Sequence, residues 1–336
     1  MKKIIISIAL AFSLLIAGCS CSSATPLSFQ KNWDPTGTAT FGHTETYVYD
    51  VAFSKDFVEE DFNYKQADGL NDIVDVNFTN GLYTVNLTVC DKADLTKNTS
   101  TDLFEGLTGY ELYRITSEFT ITSTYTPKNG TPVSFNEYIK TDCYSLDINN
   151  SLAPIYSFTE NKFSSIAITG TEVDVNKLHY TVETNYFKDS YVMVQKSFGF
   201  DDDIASATPT AVKENEYGYT FKSVLDNNQL LFAIRNLSLE QGTSKEIPVI
   251  SGAYGSSKGI AVLFDNVQTV KIGEKEYSTK RVSFGRSSST EQGQKQLAYI
   301  ETSTTTTKSL LVKYVTPLAE YGSAYANLGA LVYTLR

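Results

Sequence analysis

Apolar and polar residues alternate with a period of two through most of this chain. In the first such segment, Tyr47, Tyr49 and Val51 share one phase. Thr46 and Asp50 fall in the other phase. Successive side chains of a β-strand point to opposite faces, so the alternation predicts strands. The pattern recurs along residues 81–90, 110–125, 178–187, 191–200, 217–224, 247–250, 260–264, 267–272, 277–284, 296–307, 310–315 and 324–334.

Residues typical of tight turns separate the alternating segments. Consecutive strands joined in this way predict an antiparallel meander, with one apolar face and one face rich in Thr, Ser and Tyr that meets solvent. The turn signals are Asn80-Gly81, Pro127 to Gly130, Gly255 to Ser257, Ile272 to Glu274 and Gly285 to Ser289.

A helical pattern is rare in this chain. The best case is residues 225–239, where Leu230 and Ile234 stand at helical spacing after Asp226, a favourable N-cap residue. Residues 101–107 are a second, shorter candidate. A long antiparallel sheet whose apolar face is covered by one or two short helices is a coherent two-layer arrangement.

The N-terminus carries the pattern of a secretory signal. Lys2 and Lys3 precede an apolar run, residues 4–16, that is too short to cross a bilayer of about 30 Å as a helix. The tetrapeptide that ends in Cys19 resembles a bacterial lipobox, in which the cysteine is acylated and becomes the mature N-terminus. The alternative is an ordinary secretory signal in which Cys19 has no role.

Lipidation at Cys19 would hold the protein at a membrane through its diacylglyceryl and acyl chains, facing outside the cytoplasm. Ser20 permits sorting to the outer membrane in a cell with two membranes, whereas a cell with one membrane would display the domain directly. The predicted organisation is a signal peptide at 1–18, a lipidated tether at 19–37 and an all-β region at 38–336, either undivided or split into 38–136 and 137–336.

The charge of the chain argues against polyanionic partners. At pH 7 the formal net charge is −10, and no run of Lys and Arg occurs that could follow a phosphate backbone. We therefore predict no nucleic-acid partner.

Two cysteines, Cys90 and Cys143, lie in the predicted all-β region. Both stand in strand-like segments of an exported chain, so adjacent strands could bring them within disulfide distance. Two buried free thiols are the alternative.

Motifs that carry catalysis or metal binding are absent from the sequence. There is no HExxH, paired CxxC, GxSxG or phosphate loop. His43 and His179 are predicted to be surface or turn residues, and the acidic runs 59–61 and 201–203 to be solvated loops. We accordingly predict no catalytic residue, no metal and no cofactor.

Tyrosine and phenylalanine are abundant, with 22 and 19 residues against one Trp. On a half-open curved sheet they could line a trough for an apolar or amphipathic ligand. The alternative is a packed β-core, because Tyr has a high strand propensity.

From about Tyr138 onwards, apolar and turn positions follow a characteristic order. They comprise Leu152 to Pro154, Leu230 to Arg235, Leu239 to Gly242, Ile247 to Val249, Val270 to Tyr277 with Thr279 and Val282, Tyr299-Ile300 and Leu310 to Pro317. This order resembles the bacterial envelope family called domain of unknown function 3108. Tyr299 stands where that family usually has Trp, and the first hundred or so residues have no counterpart.

The resemblance implies a mainly β fold, a large curved antiparallel meander wrapped partly around a helix. Such a half-barrel is similar to the periplasmic carriers of lipoproteins, and the family-like helix positions are Leu230, Phe232, Ile234 and Arg235. Since the family has no settled activity, the resemblance bears on fold more than on function.

These observations predict a lipid-anchored envelope protein, without enzymatic activity, that binds an apolar or amphipathic, lipid-like ligand. A structural or adhesive surface module is the first alternative, and it predicts a filled interior. A glycan-active enzyme is the second, and it predicts two carboxylates facing each other in a cleft.

Overall fold

The computed structural model describes most of the chain from Thr44 onwards. The described residues are 4–7, 44–66, 70–90, 111–148, 151–169, 172–187, 189–218, 224–251, 256–286, 295–302, 309–320 and 326–336. Cys19, the predicted tether 19–37, His43 and the predicted helix 101–107 lie outside them.

Long strands make up most of the described residues. The strands are β1 (Ile4–Ser7), β2 (Thr44–Ser54), β3 (Asp56–Glu59), β4 (Phe62–Lys65), β5 (Val74–Cys90), β6 (Glu111–Pro127), β7 (Val133–Ile148), β8 (Ser151–Thr169), β9 (Glu172–Tyr186), β10 (Ser190–Phe198), β11 (Ala211–Gly218), β12 (Leu225–Asp226), β13 (Ser244–Ser251), β14 (Ser256–Ile272), β15 (Lys275–Arg286), β16 (Gln296–Glu301), β17 (Leu311–Glu320) and β18 (Ala326–Leu335). The helical segments are the 3₁₀ turns Leu70–Asp72 and Asn227–Gln229 and the α-helix α1 (Leu230–Asn236).

Two meanders join into one large open sheet. Strands β5 to β11 follow one another in sequence order, and so do β13 to β18. Strand β2 connects them, because it pairs antiparallel with both β18 and β5. Only β12 pairs in parallel, with β13 at one edge of the described sheet. The predicted mainly β fold, a large antiparallel meander with a short covering helix, is confirmed.

The predicted sub-domain boundary between residues 136 and 137 falls within β7. That strand pairs along its length with β6, so both parts contribute to the same sheet. Within the predicted signal peptide, β1 pairs antiparallel with β8 and lies off the main strand order.

The predicted turn at Asn80-Gly81 proves to be a bulge inside β5. Asn80 has a φ of 55°, and the pairing of β5 with β6 shifts between Thr79 and Leu82. A left-handed residue followed by glycine suits a bulge as well as a hairpin turn, so the dipeptide alone does not distinguish them. A side chain at position 81 would collide with Val51, which explains the glycine there.

The main core lies between α1 and the sheet face that we call the inner face. Leu230, Ala233 and Ile234 of the helix pack there against strand residues that include Tyr314 and Tyr333. Most of the largest fully buried side chains are tyrosines, so much of the aromatic content is core packing.

The opposite face, called the outer face, is covered on its late strands by the β3–β4 hairpin. Phe62 and Tyr64 of the hairpin pack there with Tyr299, Val315 and Ala330. The Tyr64 hydroxyl donates a hydrogen bond to the Lys295 carbonyl at 2.6 Å, which fixes the hairpin to the sheet.

The segment that leads into α1 is tied to the inner face by polar contacts. Asp226, predicted as the N-cap of the helix, caps in a capping box the 3₁₀ turn Asn227–Gln229 that precedes α1. It also accepts a 2.5 Å hydrogen bond from the Tyr186 hydroxyl. Asn228 Nδ2 donates to Ser157 Oγ at 2.7 Å. The α-helix is shorter than predicted, because the chain becomes extended at Leu237.

Candidate functional site

A small cleft lies between α1 and the inner face of the sheet. Its volume is about 40 Å³, and it is partly open to solvent. A cavity needs roughly 10–15 Å³ per water in this measure, so the enclosed space holds about three waters. The lining residues are Tyr47, Tyr49, Tyr83, Val85, Leu87, Ile115, Ser117, Asn228, Leu231, Phe232, Arg235 and Leu311.

Arg235 is the only charged side chain among these described lining residues. It is 5% exposed, and its guanidinium carbon lies 5.2 Å from the centre of the Tyr47 ring and 5.4 Å from that of Phe232. These distances allow cation–π attraction, which is stronger in a desolvated site. The helix therefore places a buried cation against an aromatic wall.

A single carboxylate accompanies this cation. Nη2 of Arg235 lies 3.6 Å from Oε2 of Glu45, which is 6% exposed. The Tyr47 hydroxyl donates a hydrogen bond to the same carboxylate oxygen. Nε and Nη2 of Arg235 have no hydrogen-bond partner among the described residues. An unsatisfied buried donor is costly, so a bound group that accepts hydrogen bonds from these two nitrogens would be stabilising.

The tyrosines of the cleft are neutral at physiological pH. Burial raises the pKa of Tyr47 to about 12, with the positive charge of Arg235 opposing the shift and Glu45 adding to it. Burial also raises the pKa of Tyr49, whose hydroxyl donates to the Leu311 carbonyl at 2.9 Å. Both hydroxyls are thus hydrogen-bond donors.

The structure divides the four predicted helix positions into two pairs. Phe232 and Arg235 line the cleft, and Phe232 also belongs to the core together with Leu230 and Ile234. No sequence pattern singled out Glu45, which lies in β2, about 190 positions before Arg235. Only the tertiary pairing of β2 with its neighbours brings it beside α1.

Cys90 and Cys143 are both buried and do not form a disulfide with each other. Cys90 faces Leu112 on β6, and Cys143 faces Ile115 on the other side of the same strand. One intervening strand separates their backbones by about 9.6 Å. Since Leu112 and Ile115 are three residues apart, the thiols also point to opposite faces. Of the two predicted alternatives, the Cys90–Cys143 disulfide is therefore wrong.

The prediction of a surface role for His179 is wrong. This residue is 3% exposed, with Nε2 3.0 Å from Glu160 Oε1 and Nδ1 3.2 Å from the Gly199 carbonyl. The Tyr138 hydroxyl donates to the same glutamate. The loop that follows β10 covers the ring, which alternation along β9 could not reveal. Residues 201–203 of that loop are exposed, as predicted.

A second buried cation, Arg281, lies under the β3–β4 hairpin on the outer face. It is 2% exposed and lies 2.7 Å from Glu60, 3.5 Å from Glu59 and 3.4 Å from Asp265. Burial lowers the pKa of Arg281, but the neighbouring carboxylates Asp265 and Glu60 outweigh it and raise that pKa. The run 59–61, predicted as a solvated loop, thus contributes two partners to a buried ion pair.

A buried carboxyl group, Glu137, lies on the inner face away from the cleft. Its Oε1 accepts hydrogen bonds from Ser123 Oγ, Ser164 Oγ and the Ser164 backbone N–H, the last at 3.0 Å. Its Oε2 has no partner among the described residues. Burial raises the pKa of Glu137 to about 7, although these hydrogen bonds oppose the shift.

The described part of the chain has neither a metal cluster nor a membrane-spanning helix. No group of three or more His, Cys, Asp or Glu residues there is placed to hold a metal ion. No helix there has the length and apolar character needed to cross a membrane.

Comparison with known proteins adds one distant structural neighbour. No family model matches the chain, and no curated protein matches it either. A solved structure from Brucella abortus, a beta-barrel-like protein of the domain of unknown function DUF1849, superposes with a TM-score of 0.41 and 9% identity. The match covers 89% of this chain and 98% of that one. The resemblance to domain of unknown function 3108 stays a prediction.

Proposed function

We propose that this protein is a non-enzymatic, lipid-anchored protein of the bacterial cell envelope that binds a small amphipathic ligand in the cleft between α1 and the inner face. The observation that carries the proposal is Arg235, a buried cation with two N–H groups that have no hydrogen-bond partner among the described residues, in an otherwise mostly apolar and aromatic cleft. Ligand sites commonly combine apolar walls with a few polar groups of this kind.

The size of the cleft limits what enters it. About 40 Å³ is far below the roughly 300 Å³ of a typical ligand pocket, so a whole acyl chain does not fit. Because the cleft is partly open, one end of a ligand can enter while the rest stays outside. The ligand class is therefore narrower than the aromatic trough considered from the sequence.

The anchor supports the location of this binding. Acylation of Cys19 would leave a tether of at most roughly 60 Å between the membrane and the sheet. A ligand of the cleft would then be met close to a lipid surface. Metabolic labelling with a clickable fatty acid should mark the wild-type protein and not Cys19→Ala; equal labelling of both would contradict the anchor.

A structural or adhesive surface module is the second candidate. It is favoured by exposed pairs of polar side chains across neighbouring strands, such as Thr44 with Thr88 at 3.0 Å and Thr46 with Asn86 at 2.7 Å. The core of helix and strand side chains between α1 and the inner face, with a cleft of only about 40 Å³, is also what this candidate predicts.

Native mass spectrometry of protein isolated from its own envelope tests the proposal. The wild type should carry a bound small molecule that is lost from the double variant Arg235→Met with Glu45→Gln. Recovery of both proteins without a ligand, or of the same ligand on both, would contradict binding at this cleft and favour the surface module.

A further inference from the structure

We infer that the group bound in the cleft is a carboxylate, held by the Nε and Nη2 edge of Arg235. This inference rests on the proposed function, because it specifies the chemistry of the same site. Nε–H and Nη2–H lie side by side on one edge of the guanidinium plane. Such an edge matches the two oxygens of a carboxylate in a bidentate arrangement.

The same chain shows what this edge does when a carboxylate is in place. Arg114 donates from Nε to Asp142 Oδ1 and from Nη2 to Asp142 Oδ2, each at 2.9 Å. Arg336 uses the same two nitrogens on Asp50, both on Oδ1, at 2.8 and 2.6 Å. In Arg235 neither nitrogen has a hydrogen-bond partner among the described residues, although this side chain is the most buried of the three.

Glu45 does not fill this position. One of its oxygens accepts the Tyr47 hydroxyl and remains 3.6 Å from Nη2, beyond hydrogen-bond distance. Glu45 thus balances the charge of Arg235 but accepts no hydrogen bond from Nε or Nη2. Arg235 is itself a lining residue of the cleft, whereas Glu45 is not.

A second carboxylate beside one arginine has a precedent in this molecule. Arg281 lies within 3.5 Å of three carboxylates. A phosphate group is a poorer choice for Arg235, because it would bring up to two negative charges next to Glu45 into a space of about 40 Å³. A planar group with a single charge is the better match in both shape and charge.

Calorimetric titration with octanoate and its alcohol, octanol, tests the inference. The full chain carrying Cys19→Ala avoids the predicted acyl group, and octanol matches the chain length without the charged head. We expect octanoate to bind at least about tenfold more tightly, as two charge-assisted hydrogen bonds imply. The added variants are Arg235→Lys, Glu45→Gln, and Arg235→Met combined with Glu45→Gln.

Each variant separates one contribution. Lysine keeps the charge without the paired donors, so Arg235→Lys should lose most of the preference for octanoate. The double variant, which leaves no unpaired buried charge, should lose all of it and still bind octanol. Glu45→Gln removes the competing charge and should tighten octanoate several-fold with octanol unchanged.

The outcomes that overturn the inference differ from those that overturn the proposed function. Equal affinity for octanoate and octanol, unchanged by the variants, would refute carboxylate recognition while leaving amphipathic binding intact. Failure of both compounds to bind would refute the proposed function as well. Circular dichroism spectra that match the parent chain would establish that each variant is folded.

Discussion

The two faces of the sheet each bury an arginine, and the surroundings of the two differ. On the outer face, Arg281 has oxygens of three carboxylates within 3.5 Å, the nearest at 2.7 Å. On the inner face, Glu45 at 3.6 Å is the one carboxylate paired with Arg235 among the described residues. Each arginine has two nitrogens without a hydrogen bond of good geometry to a described residue, so the two sites differ in the number and distance of their carboxylates. A buried cation surrounded by several carboxylates stabilises a structure, whereas one with a single, more distant carboxylate can accept a further anion.

The contrast extends to what each arginine connects. Glu59 and Glu60 belong to the β3–β4 hairpin and its tip, so Arg281 holds that hairpin on the outer face. Arg235 is presented by α1, which is anchored independently through Asp226 and Asn228. The outer arginine is therefore expected to matter for stability and the inner arginine for binding.

Replacing Arg281 should give the largest loss of stability. Arg281→Met leaves the partly buried Asp265 without its ion-pair partner and leaves Glu59 with Lys313 alone, and breaking a buried pair in this way costs about 3–5 kcal/mol. Because Glu60 is exposed, we expect the loss of unfolding free energy to lie near the lower end of this range. Chemical denaturation would measure it, with the exposed Arg336→Met as control. A free energy of unfolding equal to that of the control would show that Arg281 does not stabilise the fold.

The pH dependence of stability should reveal the buried carboxyl groups of the inner face. The pKa of Glu137 is raised from 4.5 to about 7 and that of Asp226 from 3.8 to about 6, both mainly by burial. Between these values the folded protein binds more protons than the unfolded chain, so stability falls as pH rises from about 4 to about 7. Above about pH 7 the stabilisation that comes from protonated Glu137 and Asp226 is lost.

Glu137→Gln mimics the protonated group and should remove about half of that slope, because the shift of Asp226 is of similar size. At pH 8 the variant is expected to be more stable than the wild type by on the order of 3 kcal/mol at most. Thermal denaturation at pH 4, 6 and 8 would measure this, with the exposed Glu214→Gln as control. A wild-type stability that rises between pH 4.5 and 7 would show that these pKa shifts are wrong.

Removing Arg235 should cost less than removing Arg281, and the loss should be reversible. Arg235→Met removes the cation beside the buried Glu45, yet it also removes two unsatisfied donors, so we expect a loss of about 2 kcal/mol. Adding Glu45→Gln should restore most of that loss. Urea denaturation of both variants would decide. A double variant that is no more stable than the single variant would mean that Arg235 is needed for the fold.

The cysteines should contribute nothing through oxidation. Because Cys90 and Cys143 are on opposite faces, a reductant should leave the melting temperature unchanged. Alkylation of the unfolded protein without prior reduction, followed by peptide mass spectrometry, should modify both residues. A disulfide-linked peptide pair would show that the strand register around β6 is wrong.

The sequence pattern predicts the elements of this fold well and their partners poorly. Alternation found most strands, and Asp226 correctly marked the entry to the helix. Local patterns could not place β2 between β18 and β5, because strands of similar composition do not reveal which distant neighbour they join. The dipeptide Asn80-Gly81 suits both a bulge and a turn, and only the partner strand decides between them.

The candidate site was predictable only in part. The helix positions Phe232 and Arg235 stood out through the family resemblance, and both line the cleft. Glu45 gave no signal, since a carboxylate near a strand end is ordinarily exposed. The burial of His179 depends on a loop that packs over the ring, which no periodicity in β9 encodes.

A crystal structure of the protein with octanoate would show directly whether Arg235 binds a carboxylate. We expect carboxylate density within about 3 Å of both Nε and Nη2 of Arg235, with the alkyl chain extending out of the cleft. A structure in which Glu45 itself forms two hydrogen bonds with that edge, and in which the cleft holds no ligand, would contradict it.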